Sequence, residues 1–114
     1  MSRDLASMPF AHVYPHDVRK VKRKGRTVAE LHAVLCWLTG LDKRGLQRHI
    51  TAETTFADLF KQVTLHKDAR LITGSICGVK VQEIDDPLMR RIRYMDKVVD
   101  ELAKGWPLEK IYRA

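Results

Sequence analysis

The chain has 114 residues, 45% of them hydrophobic and 31% charged, and its 21 Lys and Arg against 14 Asp and Glu leave a net charge of +7. That length holds one domain around one core, and the composition excludes a disordered chain. No apolar run approaches the ~18 residues of a membrane span, and Met1 to Pro9 lacks the apolar core of a secretory signal, so a cytoplasmic location without a membrane partner is expected.

The two cysteines, Cys36 and Cys77, lie in apolar stretches without C-x-x-C spacing, which argues against a disulfide framework or a structural zinc and for buried free thiols. The charge is unevenly placed. Residues 1–50 carry ten Lys and Arg against four Asp and Glu, whereas residues 51–114 carry eleven against ten, so the basic character belongs to the first half. A localised positive field concentrates anionic partners without selecting among them.

Along the chain, residues 1–9 show no period and read as an irregular arm. Phe10, Val13 and Tyr14 supply apolar anchors, and Pro15 suits a first helical turn, where its missing N–H has no partner to lose. A helix from about Tyr14 to Lys24 follows, ending at Gly25. Its last turns hold the densest charge in the chain, since six of the eight residues Arg19 to Arg26 are basic.

Thr27 and Glu30 form a capping box, and nine of the eleven residues from Val28 to Leu38 are apolar or small, which predicts a buried central helix closed by Gly40. Asp42 is placed to cap a short helix over Lys43 to Ile50. Thr55, with Asp58 three residues on, is placed to cap another over Phe56 to Val63. From Leu71 to Ile84 partial alternation and two glycines let an extended segment compete with a helix. Asp86 and Pro87 then open the longest helix, to about Lys104, whose Leu88, Ile92, Met95, Val99 and Leu102 form one stripe before Gly105. Pro107 to Tyr112 reads as one or two docking turns.

K-G-R-T at Lys24 to Thr27, W-L-T-G at Trp37 to Gly40, I-T-G-x-x-C-G at Ile72 to Gly78, and D-P-L-M-x-x-I-R-Y-x-D-K-x-V-D-E-L-A-K-G at Asp86 to Gly105 together resemble the bacterial domain of unknown function 2200 family. The resemblance runs from about Phe10 to Arg113, loosely over Asp42 to Ala52. It implies a small cytosolic, mainly α-helical domain and carries no activity, cofactor or catalytic residue.

Several constellations bear chemistry. Gly74 to Gly78 can turn backbone N–H groups toward an anion, with Lys80, Arg90 and Arg91 as candidate walls, although the stretch lacks the ending of a P-loop and a glycine-permitted bend explains it more simply. Cys77 becomes a nucleophile if a cation or a helix N-terminus lowers its pKa, with a histidine such as His32 or His66 as its partner in space, and an inert buried thiol is the simpler reading. His12 and His16 stand four apart without a third ligand, and no metal site is assigned. Glu83, Asp85 and Asp86 suit the start of a helix, where the macrodipole favours negative charge. Thr27 to Ile50 has the outline of a helix-turn-helix, with Lys43, Arg44, Gln47, Arg48 and His49 on its second helix, an outline that any two consecutive bundle helices share.

The expected architecture is therefore a mainly α, single-domain orthogonal bundle of four to six helices with a short non-helical segment near residues 72–81. The expected function is a non-enzymatic binding or interaction protein without a cofactor. Its basic face, Arg19, Lys20, Lys22, Arg23, Lys24 and Arg26, would meet an anionic partner, protein or nucleic acid. The alternatives are a helix-turn-helix-like nucleic-acid-binding protein, and a small enzyme or small-anion site built on Gly74, Gly78, Lys80, Arg90 and Arg91.

Overall fold

Six α-helices succeed one another in the computed structural model, which describes residues 5–76 and 78–113: α1 (Phe10–Arg23), α2 (Val28–Thr39), α3 (Lys43–Thr51), α4 (Phe56–Gln62), α5 (Pro87–Ala103) and α6 (Leu108–Ile111). Helix of all kinds takes in 69% of the described residues, so the expectation of a mainly α fold holds. Each cap expected from the sequence forms. Thr27 Oγ1 accepts the Glu30 N–H at 3.1 Å while Glu30 Oε1 accepts the Thr27 N–H at 2.9 Å. Asp42, Thr55 and Asp86 accept the N–H groups of Gly45, Asp58 and Met89 in the same way. These side chains satisfy donors that a helix start leaves without intrahelical partners.

The expected start of the first helix needs correction. The helix begins at Phe10 behind Pro9, and Pro15 sits inside it rather than in its first turn. Phe10 is wholly buried, its N–H bonds the Thr54 carbonyl at 2.9 Å, and its ring meets Phe56 edge-on at 6.0 Å. This anchoring nucleates the helix a turn before the proline. Pro15 is exposed, so the backbone bond it removes falls on the solvent side of α1. Residues 5–9, read from the sequence as irregular, form a 3-10 turn over Leu5–Ser7 and a β-bridge from Pro9 to Thr55, with Leu5 and Met8 against the core. Residues 1–4 lie outside the described chain.

Between α4 and α5 the chain takes the extended course. A 3-10 turn over Lys67–Leu71 leads to an antiparallel hairpin of β1 (Ser75–Ile76) and β2 (Val79–Lys80), with Ser75 opposite Lys80 and Ile76 opposite Val79. The Lys97 ammonium donates to the Ser75 carbonyl at 3.2 Å and ties the hairpin to α5. At Gly74 the φ of +111° favours glycine, and a Cβ there would press on the end of the Lys97 side chain, 3.0 Å from its Cε.

The core is the seam between α2 and α5. Leu31, Val34, Leu35 and Leu38 from α2 meet Ile92, Met95, Val98, Val99 and Leu102 from α5, all buried. The expected stripe on α5 is thus the buried one, except that Leu88 at its start is only half-buried. Trp37 on α2 stacks between His66, at 4.7 Å, and Tyr112, at 5.7 Å, and so binds the 3-10 turn and the last residues to the central helix. A bidentate ion pair closes the end of the chain. Both Arg113 guanidinium nitrogens bond Glu101, at 2.7 and 2.6 Å, and Glu101 is only 1% exposed.

A second polar cluster lies between α1 and α5. Asp100 accepts from Lys20 at 3.1 Å and from Lys104 at 3.0 Å. Burial pushes the Asp100 pKa up, but these two hydrogen bonds outweigh it and hold the carboxyl below its ordinary value. Asp17 and Asp96 behave oppositely. Burial, reinforced by the Asp96 carboxylate and only partly opposed by Lys20, pushes Asp17 from 3.8 up to about 7. Burial also raises Asp96, against its bond from Arg93.

The cap, the buried ion pair and the Asp17 carboxyl each lead to a measurable expectation. Thr27→Ala should cost ~1 kcal/mol in denaturant unfolding, and an unchanged midpoint would show that the capping box does not hold the start of α2. Arg113→Ala should cost ~3 kcal/mol because it leaves Glu101 buried and unpaired, while changing both residues to Met should recover most of that loss. If the double variant is no better than the single one, the unpaired charge is not the cause. The third expectation concerns pH. Because the folded-state pKa of Asp17 lies above its unfolded value, its contribution is complete below pH 3.8 and is lost as pH rises through about 7. Asp17→Asn should therefore match wild type near pH 3.8, gain on it progressively, and lead by about 2 kcal/mol above pH 7, a moderate figure because the group keeps some solvent. A stability difference independent of pH would refute this assignment.

Candidate functional site

The basic residues singled out in the sequence divide into two groups. His12, His16, Arg19 and Arg23 recur at helical spacing on α1, with Lys22 one turn beyond Arg19, and all five are exposed. At 1.5 Å rise per residue this line runs about 16 Å along the helix. The Arg19 guanidinium donates to His16 Nδ1 at 2.8 Å. The side chains of Lys22, Arg23 and Lys24 are exposed and make no hydrogen bond or ion pair among the described residues. Lys20 and Arg26 are engaged instead. Lys20 bonds Asp100, while Arg26 pairs with Glu30 at 2.9 Å and donates to the Trp106 carbonyl at 3.1 Å. Among the described residues Lys22, Arg23 and Lys24 are thus the uncommitted members of the run, beside Arg19, which is exposed and bonded to the His16 ring on the same face. The pair His12 and His16 does fall on one helical face, and among the described residues no group of three His, Cys, Asp or Glu is placed to hold a metal ion.

A concave site lies along α3. Its cleft, of about 850 Å³, is lined by His32 from α2 and by α3 and its C-terminal end, including Lys43, Arg44, Leu46, Arg48, Ile50 and Ala52. Gly45, which weakens α3 as a helix former, is explained by packing. A Cβ there would come within 3.1 Å of the capping Asp42 Oδ1 and 3.3 Å of Leu41 Cδ2. The Tyr14 hydroxyl on α1 is hydrogen-bonded to His32 Nε2, and the two rings stack at 5.8 Å. Burial, then the Lys43 ammonium, lowers the His32 pKa, which keeps the ring neutral at pH 7. Burial likewise raises the Tyr14 pKa. Sequence reasoning missed this pair, since the partners lie 18 residues apart and only the packing of α1 on α2 brings them together. The one sign in the sequence is that each is polar on an otherwise apolar helix face.

Around Gly74 to Arg91 the geometry is different. The Gly74 N–H donates to Gln82 Oε1 and its carbonyl accepts from the Val81 N–H, so both backbone groups have partners within the chain. Arg90 donates to the Ile84 carbonyl at 2.7 Å and Arg91 to the Phe60 carbonyl at 3.5 Å. A hollow of about 500 Å³ beside the hairpin is lined by Gly78, Val79, Lys80, Glu83 and Ile84, and so sets a carboxylate beside the lysine. Cys77 lies outside the described residues. Of the histidines considered for it, His32 bonds Tyr14, and His66 Nδ1 accepts the Asp68 N–H at 3.0 Å. Cys36 is a free thiol and half-buried, its pKa raised by burial and by Asp42.

No helix among the described residues is long and apolar enough to cross a membrane. No curated protein matches the chain. Among solved structures, the chain is similar to the crystal structure of uncharacterized protein SP1917, at 42% identity and a TM-score of 0.88, covering 97% of this chain and 92% of that one. The family described as "Uncharacterized protein conserved in bacteria (DUF2200)" matches residues 4–113, which extends the resemblance seen in the sequence six residues toward the N-terminus. With the match spanning nearly its whole length, the chain belongs to this bacterial family.

Proposed function

We propose that the protein is a non-enzymatic, cytoplasmic binding domain that meets a polyanionic partner through the exposed face of α1. One observation carries this reading: Arg19, Lys22, Arg23 and Lys24 are exposed together at the end of α1, and the last three have no counter-charge among the described residues. Cations at a helix C-terminus are also favoured by the helix dipole, which accounts for tolerating them there without requiring a partner. The dipole alone is served by one or two lysines, however, and leaves the density of the run unexplained. An open stripe of point charges suits a surface with repeated negative groups better than it suits one small anion.

Changing Lys22, Arg23 and Lys24 together to Gln should weaken retention on heparin and lower the salt dependence of binding by about one unit for each phosphate no longer neutralised. Stability should change by less than ~0.5 kcal/mol, because these side chains are exposed and unpaired. Identical elution of the variant and the wild type would reduce the run to a solvated helix end. A preference for duplex DNA over heparin of similar charge, abolished in the variant, would favour the nucleic-acid reading within this class.

A further inference from the structure

The α3 cleft is separate from the α1 stripe and has a different chemistry. Its floor is apolar, made by Leu46, Ile50 and Ala52, and its rim is cationic, carrying Lys43, Arg44 and Arg48. Its volume of about 850 Å³ falls within the range of small-molecule sites. His32 stands in the wall with Nε2 held by Tyr14, which leaves Nδ1 as the ring nitrogen a ligand can reach. We propose that this cleft binds a small amphipathic carboxylate, with the acyl chain along Leu46, Ile50 and Ala52 and the head group between His32 Nδ1 and the Lys43 and Arg44 cations.

Charge and length together select this occupant. The rim offers three cations and no carboxylate, so an anionic head is favoured and an ammonium head is repelled. At the Lys43 end the Asp42 carboxylate already caps the start of α3, so the attraction for an anionic head rests on the three cations of the rim. Apart from His32, the walls come from α3 and its end, and a nine-residue helix is only about 13 Å long. An extended octanoate spans such a site, whereas an amphipathic peptide helix of several turns overruns it. Inorganic phosphate lacks the apolar body that the floor would cover.

Titration of the whole protein with octanoate, followed through backbone amide chemical shifts, tests the assignment. Saturable shifts are expected at His32 and across Lys43 to Ala52, with octan-1-ol and octylammonium binding at least ~10-fold more weakly. Lys43→Gln, at an exposed position, should weaken octanoate about fivefold and leave octan-1-ol unchanged. Ala52→Trp should fill the cleft and abolish both. The proposal fails if the α3 amides do not saturate, if octan-1-ol binds as well as octanoate, or if inorganic phosphate produces the same shifts. It also fails if an acidic amphipathic peptide shifts these amides while octanoate does not. Because Lys22, Arg23 and Lys24 take no part in it, failure here leaves the reading of the α1 stripe untouched, and the converse holds.

Discussion

Burial of α2 is the constraint on which the rest of this structure depends. Four large side chains of that helix, Leu31, Val34, Leu35 and Leu38, are wholly removed from solvent, mainly against α5. Each contributes roughly 1.5–3 kcal/mol on burial, so the four together outweigh the ~1 kcal/mol of a helix cap several-fold. Packing therefore holds α2 in place, and the capping box chooses where it begins. With α2 central, every other helix needs only one apolar face. α5 covers one side of it, α1 and α3 another, and the stack of Trp37 between His66 and Tyr112 draws in the segments that would otherwise lack an anchor.

A chain with 21 basic side chains must settle which of them serve the fold and which face solvent. Those near a deficit of positive charge are drawn inward. Glu101 is buried and takes Arg113, Asp100 takes Lys20 and Lys104, and the junction of α1 and α2 uses Arg26 to reach both Glu30 and the Trp106 carbonyl. Asp17 is the costly member of this arrangement. It shares its surroundings with Asp96, and Lys20 offsets their repulsion only in part, so protonation is its cheaper solution near neutral pH. What remains uncommitted at the end of α1 is positive charge that the fold does not consume, which is why that face is the natural one to look to for a partner.

The α3 region follows a different logic. A helix with a glycine in its first turn is a poor helix by propensity, yet the absence of a Cβ at Gly45 leaves room for Leu41 and for the capping Asp42 carboxylate, which a side chain there would crowd. So packed, α3 lies beside His32 along a cleft whose apolar floor and cationic rim belong to one short helix. The local rule is broken where a concave surface results, as expected where geometry rather than propensity decides the residue.

What the sequence determined by itself were the features whose causes lie within a few residues or one helical stripe. Thr27, Asp42, Thr55 and Asp86 each act on an N–H three residues away, and the α5 stripe needs only one helix to be recognised. Helix boundaries and most of the core were therefore legible, and so was the family. Tertiary structure alone decided the start of α1, because Phe10 is secured by Thr54 and Phe56, far along the chain, and this outweighs the local signal of Pro15. It likewise decided between strand and helix at Ser75 to Lys80, where β1 and β2 are too short to show a period and Lys97 holds them to α5. The fate of the basic run was equally beyond local reading, since Lys20 and Arg26 each find a partner 80 residues away. The same holds for the Tyr14 and His32 pair and for the raised pKa of Asp17. Side-chain chemistry is written in the sequence, but charge pairing and desolvation depend on distance in space, and only the packing of the helices sets that distance.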